Sequence, residues 1–148
     1  MLMNDLTDKA REVFAGDRYA TELTGIEIAS VEDGKAACTL TIQPEHCNAR
    51  GVAMGGVLYT LADFTAAIAA NSGSLHESAT DAQGSAPLHW VSLDATVHYL
   101  SPAPLGARLV ARSEALKQGR TTALYQTIIE SPDDGKRVTI VETTMIYA

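Results

Sequence analysis

Residues 46–71 read HCNARGVAMGGVLYTLADFTAAIAAN, and the fold turns on this stretch. It opens with polar residues, passes Gly51, Gly55 and Gly56, and then becomes apolar. Val57–Asn71 predicts about four turns of helix at 3.6 residues each. Val57, Leu58, Leu61, Phe64, Ile68 and five alanines cover almost its whole circumference. A helix apolar on every side is a buried helix. The rest of the chain must therefore wrap it, and Asp63 is the one acid inside it.

Upstream, Asn4 is positioned to cap a first helix that sets Leu6, Ala10, Val13 and Phe14 on one face, with Gly16 as its stop. Asp17–Leu23 reads as a further short helical turn. Residues 1–23 thus form a helical N-terminal segment. The period then changes. Ile26, Ile28 and Ala29–Val31 read as a strand, Glu32, Asp33 and Gly34 as a hairpin turn, and Lys35–Gln43 as a second strand that Pro44 ends.

Downstream, Ser72–His89 is a long linker rich in Gly, Ser, Ala and Asp, the kind that is usually functional or mobile. Trp90–Leu100 alternates, with Val91, Leu93, Ala95, Val97 and Tyr99 on one face and Ser92, Asp94, Thr96 and His98 on the other. Arg108–Leu116, Thr121–Glu130 and Val138–Tyr147 follow as strands, joined by turns at Lys117–Arg120 and Ser131–Lys136. The mixture of Thr96, His98, Thr143 and Tyr147 on the polar side suits a partly buried oligomer contact. One apolar helix against one curved antiparallel sheet is an α+β layer arrangement. The 148 residues suit a single domain, 1–148.

A net charge of −7 argues against nucleic acid as a partner, because a phosphate-binding surface carries excess Lys and Arg. No apolar run reaches transmembrane length and no leader precedes Asn4, so the expectation is a cytoplasmic protein without a membrane contact. Cys38 and Cys47 have neither metal nor redox spacing; both are expected to be reduced, Cys38 in the core. His46, His76, His89 and His98 lack metal-ligand spacing, so no metal and no cofactor is expected. No nucleophile elbow and no P-loop occur.

Burying Asp63 costs several kcal/mol unless it is paired. It is either a satisfied structural acid, an acid that reaches solvent, or a general base or nucleophile tuned by partial desolvation. The neighbouring glycines favour chemistry. Glycine allows close approach of backbone to a ligand, and a helix N-terminus offers unpaired N–H groups with a positive dipole end. That equipment can hold a carbonyl oxygen as it becomes an oxyanion. Asn48 adds a donor amide, or is simply a turn residue. His46 is a weaker candidate to bind or orient, and Arg120 reads first as a solvated turn charge.

His46, Asn48, Gly51, Gly55, Gly56, Leu61 and Asp63 resemble, at matching spacing, the hotdog-fold acyl-CoA thioesterases of the phenylacetic-acid-degradation type. Ser92 with Asp94, Tyr99–Ala103, Leu105–Gly106 and Lys117–Arg120 extend the resemblance from Gly25 to the end. The resemblance implies a hotdog fold, a long helix wrapped by an antiparallel sheet. It also implies homodimers or homotetramers with sites shared between subunits, and hydrolysis of an aromatic or short- to medium-chain acyl-CoA. Coenzyme A is then part of the substrate. Asp63 would be general base or nucleophile, and the Gly55 N–H with Asn48 would bind the thioester oxygen. Ser92 would orient the water or the acid. His46, Met54 and Gly56, with Pro102, Ala103, Gly119 and Arg120, would lie against the acyl-CoA. Met54 stands where that family has histidine, and Ser72–His89 is longer than the family pattern, as a lid or acyl-selecting loop would be. Two other readings stand beside hydrolysis: a non-catalytic acyl-CoA or aromatic-ligand binder, and an acyl-thioester hydratase or dehydratase, which needs a paired His and acid.

Overall fold

Leu58, Leu61, Phe64 and Ile68 recur at spacings of three and four, and all are buried in the central helix α2 (Gly55–Ala70). A computed structural model describes residues 5–77 and 87–148. A first helix, α1 (Asp5–Phe14), is followed by a π-helical turn at Tyr19–Thr24. Then come strands β1 (Glu27–Glu32) and β2 (Lys35–Thr41), a 3-10 turn at Pro44–His46, and α2. A second 3-10 turn, Ser72–His76, leaves the helix. Strands β3 (Trp90–Tyr99), β4 (Arg108–Gln118), β5 (Thr122–Ser131) and β6 (Lys136–Tyr147) complete the chain.

All six strands form one antiparallel sheet in the order β1-β2-β4-β5-β6-β3. Cys38, Leu109, Ala111, Ile129, Val141 and Met145 face α2 and are buried. Burying each large apolar side chain stabilises the fold by about 1.5–3 kcal/mol. Phe14 meets Phe64 edge-to-face, with centroids 6.0 Å apart, so α1 and the turn after it pack on α2. This is the α+β hotdog arrangement.

The structure corrects four expectations. First, α2 is not closed on every side: Gly56 is exposed, and Thr60, Asp63 and Ala67 are half-buried. Those four positions share one face at helical spacing and form an open stripe. Second, β3 does not alternate throughout. Ser92 pairs Met145 and Asp94 pairs Thr144, so Leu93 is an extra residue in a β-bulge. The bulge moves Ser92 onto the helix-facing side with Ala95, Val97 and Tyr99. Third, Thr143 faces the helix and is 1% exposed. Its hydroxyl has no partner among the described residues. Only Thr96, His98 and Tyr147 of the mixed set lie open to solvent. Fourth, the linker begins as structure, with Leu75 buried in the Ser72–His76 turn. The Asn4 cap and residues 78–86 of the linker lie outside the described residues.

Candidate active site

The chain between His46 and Met54 is a small hairpin pinned to its surroundings by backbone bonds. Met54 N–H donates to the His46 carbonyl at 2.9 Å, and Ala53 N–H donates to the Ala103 carbonyl at 2.8 Å. Gly51 sits at φ +80°, the left-handed turn position that glycine tolerates. The Asn48 side-chain oxygen accepts from the N–H of Arg50 at 2.9 Å and of Val52 at 3.4 Å. Two donors on that oxygen fix the amide's orientation. The Asn48 Nδ2 has no hydrogen-bond acceptor among the described residues and is available to a ligand.

His46 is not a ligand group. It is 5% exposed, its Nδ1 accepts from Gln43 N–H at 2.9 Å, and its Nε2 lies 2.8 Å from the Thr24 carbonyl. Both ring nitrogens are therefore committed to backbone in the neutral, Nε2-protonated form. The residue joins the hairpin to the π-helical turn, which corrects its assignment to binding. Met54 precedes α2 and offers no side-chain cap. Its side chain is half exposed.

Gly55 and Gly56 open α2, and their N–H groups have no acceptor among the described residues, as the first turn of any helix requires. Beside them lies a cleft of about 490 Å³ lined by Ala53, Leu58, Tyr99, Leu100, Pro102 and Ala103, among others. Pro102 is exposed at its rim. Ala103 is buried and holds Ala53 through its carbonyl.

Asp63 lies eight residues further on, about 12 Å along the axis. Its carboxylate accepts a hydrogen bond from Ser92 Oγ at 3.1 Å. The β3 bulge makes this contact, and Asn71 sets it in place. Asn71 Nδ2 donates to the carbonyls of Ala67 and Trp90, and its Oδ1 accepts from Trp90 N–H. The end of α2 is thereby tied to the start of β3. Two further groups surround Asp63. Asp17, in the turn packed on α2, has its carboxyl raised above the ordinary value, first by burial and second by the negative charge of Asp63. Asp17 is exposed as a residue, but protein crowds one side of its carboxyl. The Tyr59 phenol is raised first by burial, then by Asp63 and Tyr99. Asp17, Tyr59 and Asn71 carried no signal in the sequence, and Tyr99 entered only through the Tyr99–Ala103 match with no role assigned: an acid in a turn, a helix-end amide and aromatics at apolar positions are unremarkable until packed.

Gly119 and Arg120 lie in the β4–β5 turn. A Cβ at Gly119 would meet the Thr122 carbonyl oxygen at 2.5 Å, so this position has no room for a side chain. Arg120 is exposed and precedes Thr121, whose carbonyl accepts from Tyr147 N–H. Tyr147 pairs Trp90. This turn therefore sits at the Ser92 end of β3, while Pro102 and Ala103 sit beyond the Tyr99 end. The two ends are seven residues, about 23 Å, apart. The expected site residues fall into two groups in one copy: Asn48, Gly55, Gly56, Pro102 and Ala103 in the first, and Asp63, Ser92, Gly119 and Arg120 in the second. Among the described residues, no group of His, Cys, Asp or Glu has the arrangement of a metal site.

A family model described as "Thioesterase superfamily" matches residues 50–138, from the loop before α2 into β6. The chain belongs to the thioesterase superfamily. Human acyl-coenzyme A thioesterase 13 is 31% identical over 140 residues, covering 92% of each chain. The Escherichia coli PaaI protein of the phenylacetic acid degradation operon superposes with a TM-score of 0.78 at 26% identity, over 97% of this chain and 96% of its own. A Streptococcus pneumoniae hypothetical thioesterase, solved with coenzyme A, gives a TM-score of 0.72 at 25% identity over 99% and 97%. The resemblance to PaaI-type thioesterases read from His46–Asp63 therefore extends over nearly the whole fold. No helix among the described residues is long and apolar enough to cross a membrane.

Proposed function

We propose that this protein is an acyl-CoA thioesterase whose active sites form between two copies of the chain. The observation that carries the reading is the Asp63–Ser92 pair, a carboxylate on the open stripe of α2 held by a single hydroxyl in a thioesterase-superfamily chain. A carboxylate there, with one hydroxyl beside it and an open face in front, has the reach to act on water or on a carbonyl carbon.

Gly55 N–H and the free Asn48 amide hold the thioester oxygen and stabilise the oxyanion, each such donor being worth roughly 3 kcal/mol. Asp63 either takes a proton from water, which adds to the carbonyl carbon, or attacks that carbon directly to give a mixed anhydride that water then opens. Ser92 orients the acid or the water. The C–S bond breaks and coenzyme A leaves as thiolate, an easy departure for a thiol of pKa near 8.5. No cofactor enters this sequence. Arg120, exposed near the mouth of the Asp63 half, suits the phosphates of coenzyme A.

The 12 Å between Gly55 and Asp63 is too far for both to act on one carbonyl. A second copy supplies the missing half. β3 is a ten-residue edge strand whose outer side is unpaired in the protomer, and Val91, Leu93, Tyr99 and Leu100 on and beside it are about half exposed. Such an edge is normally covered. Antiparallel pairing of two β3 edges about a two-fold axis brings the Ser92 end of one copy to the Tyr99 end of the other. Both half-sites are then completed at once. The hydratase reading lacks support in the protomer: His46 is bound to backbone, His76 to Asp33, His89 stacks on Tyr147 and His98 lies on the sheet's outer face.

The test is thiol release from short, medium and aromatic acyl-CoAs. Turnover of some members is expected, and Asp63→Asn should lose at least about 100-fold in kcat while folding normally. A panel without turnover would reject the enzyme and favour the binder. Wild-type rates in Asp63→Asn would reject the mechanism.

A further inference from the structure

Gly55 has an ordinary backbone conformation, so its φ does not demand glycine. The space that a side chain would take is held by the far end of the Tyr99 ring, which would have to move aside. A Cβ on residue 55 would lie 2.9 Å from Tyr99 Cζ and 3.0 Å from its hydroxyl oxygen. That hydroxyl donates to the Gly55 carbonyl at 3.0 Å. Tyr99 is about half exposed, so the core does not require it. It ends the edge strand β3 and forms a wall of the cleft at the head of α2.

We propose that Tyr99 is a positioning residue for the oxyanion donors, an inference that rests on the thioesterase reading. Two adjacent glycines leave the first turn of α2 with more accessible backbone conformations than residues bearing side chains would. A donor stabilises an oxyanion well only when it is held in place beforehand. The Gly55 carbonyl and the Gly56 N–H belong to one planar peptide unit. Fixing the carbonyl therefore fixes the direction of the Gly56 N–H, and a hydrogen bond accepted by the carbonyl also polarises that N–H. The Gly55 N–H, the donor assigned above, belongs to the same residue as that carbonyl, so holding the carbonyl limits the rotation of Gly55 and with it the direction of its N–H. Tyr99 restores the rigidity that the glycine pair removes. Because Tyr99 belongs to β3, the strand proposed to pair with a second copy also sets the donors of the site.

The experiment compares wild type with Tyr99→Phe, Tyr99→Ala, Gly55→Ala and Gly55→Ala/Tyr99→Ala, measuring kcat, KM, Tm and inhibition by free coenzyme A. Tyr99→Phe keeps the ring and should lower kcat about tenfold, with KM and the coenzyme A inhibition constant within about twofold of wild type and Tm close to the wild-type value. Gly55→Ala should push the half-exposed Tyr99 ring aside and break its bond to the residue-55 carbonyl, lowering kcat to about the Tyr99→Ala level with Tm close to wild type. Adding Tyr99→Ala to it should cost little further kcat, because both substitutions remove the same contact. Wild-type kcat in Tyr99→Phe, a change in KM alone, or a double variant whose kcat falls by the product of the two single losses would each overturn the inference. Those outcomes leave the thioesterase reading intact as long as wild type turns over. A wild type without activity on any thioester removes both.

Discussion

Asp17 and Asp63 are two carboxylates facing the same small region, and among the described residues only Asp63 has a hydroxyl to hold it. The Asp17 carboxyl is raised above its ordinary 3.8 by burial and by Asp63, so the folded chain holds this proton more tightly than the unfolded chain does. Stability from this group is complete below 3.8 and is lost as pH rises through the folded value. Asp17→Asn should therefore stabilise the fold at pH 7, by under about 1 kcal/mol because the residue is exposed and screened. The gain should vanish as the pH falls below 3.8, which thermal melts at pH 3 and pH 7 would check. The two cysteines differ in the same physical terms. Burial pushes the Cys38 thiol up to about 12, with a Thr65 hydrogen bond opposing it weakly, whereas Cys47 is half-buried. The native protein should titrate one thiol per chain with an aromatic disulfide reagent and the second only after unfolding. Two fast thiols would contradict the placement of Cys38. The Cys47 reaction would also add a fixed background to any dye-based thioesterase assay.

At the scale of elements, α2 and β3 meet at the Asp63–Ser92 contact, and Asn71 is the joint between them. It is 3% exposed, and its amide satisfies both the N–H and the carbonyl of Trp90. Asn71→Ala leaves those backbone groups unpaired at about 1–3 kcal/mol each. The variant should therefore melt lower, and kcat should fall more than KM rises because Ser92 loses its register against Asp63. Equal effects on both constants would separate Asn71 from the site. The helix itself was legible in the sequence, because Leu58, Leu61, Phe64 and Ile68 repeat at helical spacing whatever surrounds them. So were the six strands, within two or three residues at their ends, and the pairing of glycines with Asp63 on one element. The face of Ser92 was not legible. Strict alternation puts it opposite Ala95, and only the sheet's register reveals the extra residue at Leu93. His46 misled for a similar reason. A polar ring beside a glycine loop looks the same in sequence whether it faces a ligand or two backbone groups.

For the whole molecule, the proposed division of the site between two copies makes a prediction that no single-chain mechanism shares. Asp63→Asn disables one half and Asn48→Ala the other, so each variant assembled alone carries two defective sites. A mixed dimer carries one site with both substitutions and one with neither. Random exchange makes about half of all dimers mixed, so an equal mixture should recover roughly a quarter of the wild-type rate from two nearly inactive proteins. Native mass spectrometry would establish that exchange has occurred, using the mass difference between variants. Recovery should depend on the β3 edge. Lysines at the exposed Val91 and Leu93 positions oppose edge pairing, as charged edge residues do in other sheets. Introduced into both variants, they should abolish recovery and leave the chain folded and monomeric by light scattering. Exchanged dimers that stay inactive would place both halves of the reaction within one copy. The geometry of α2 would then require Gly55 and Asp63 to act on different parts of the substrate, because about 12 Å of helix separates them.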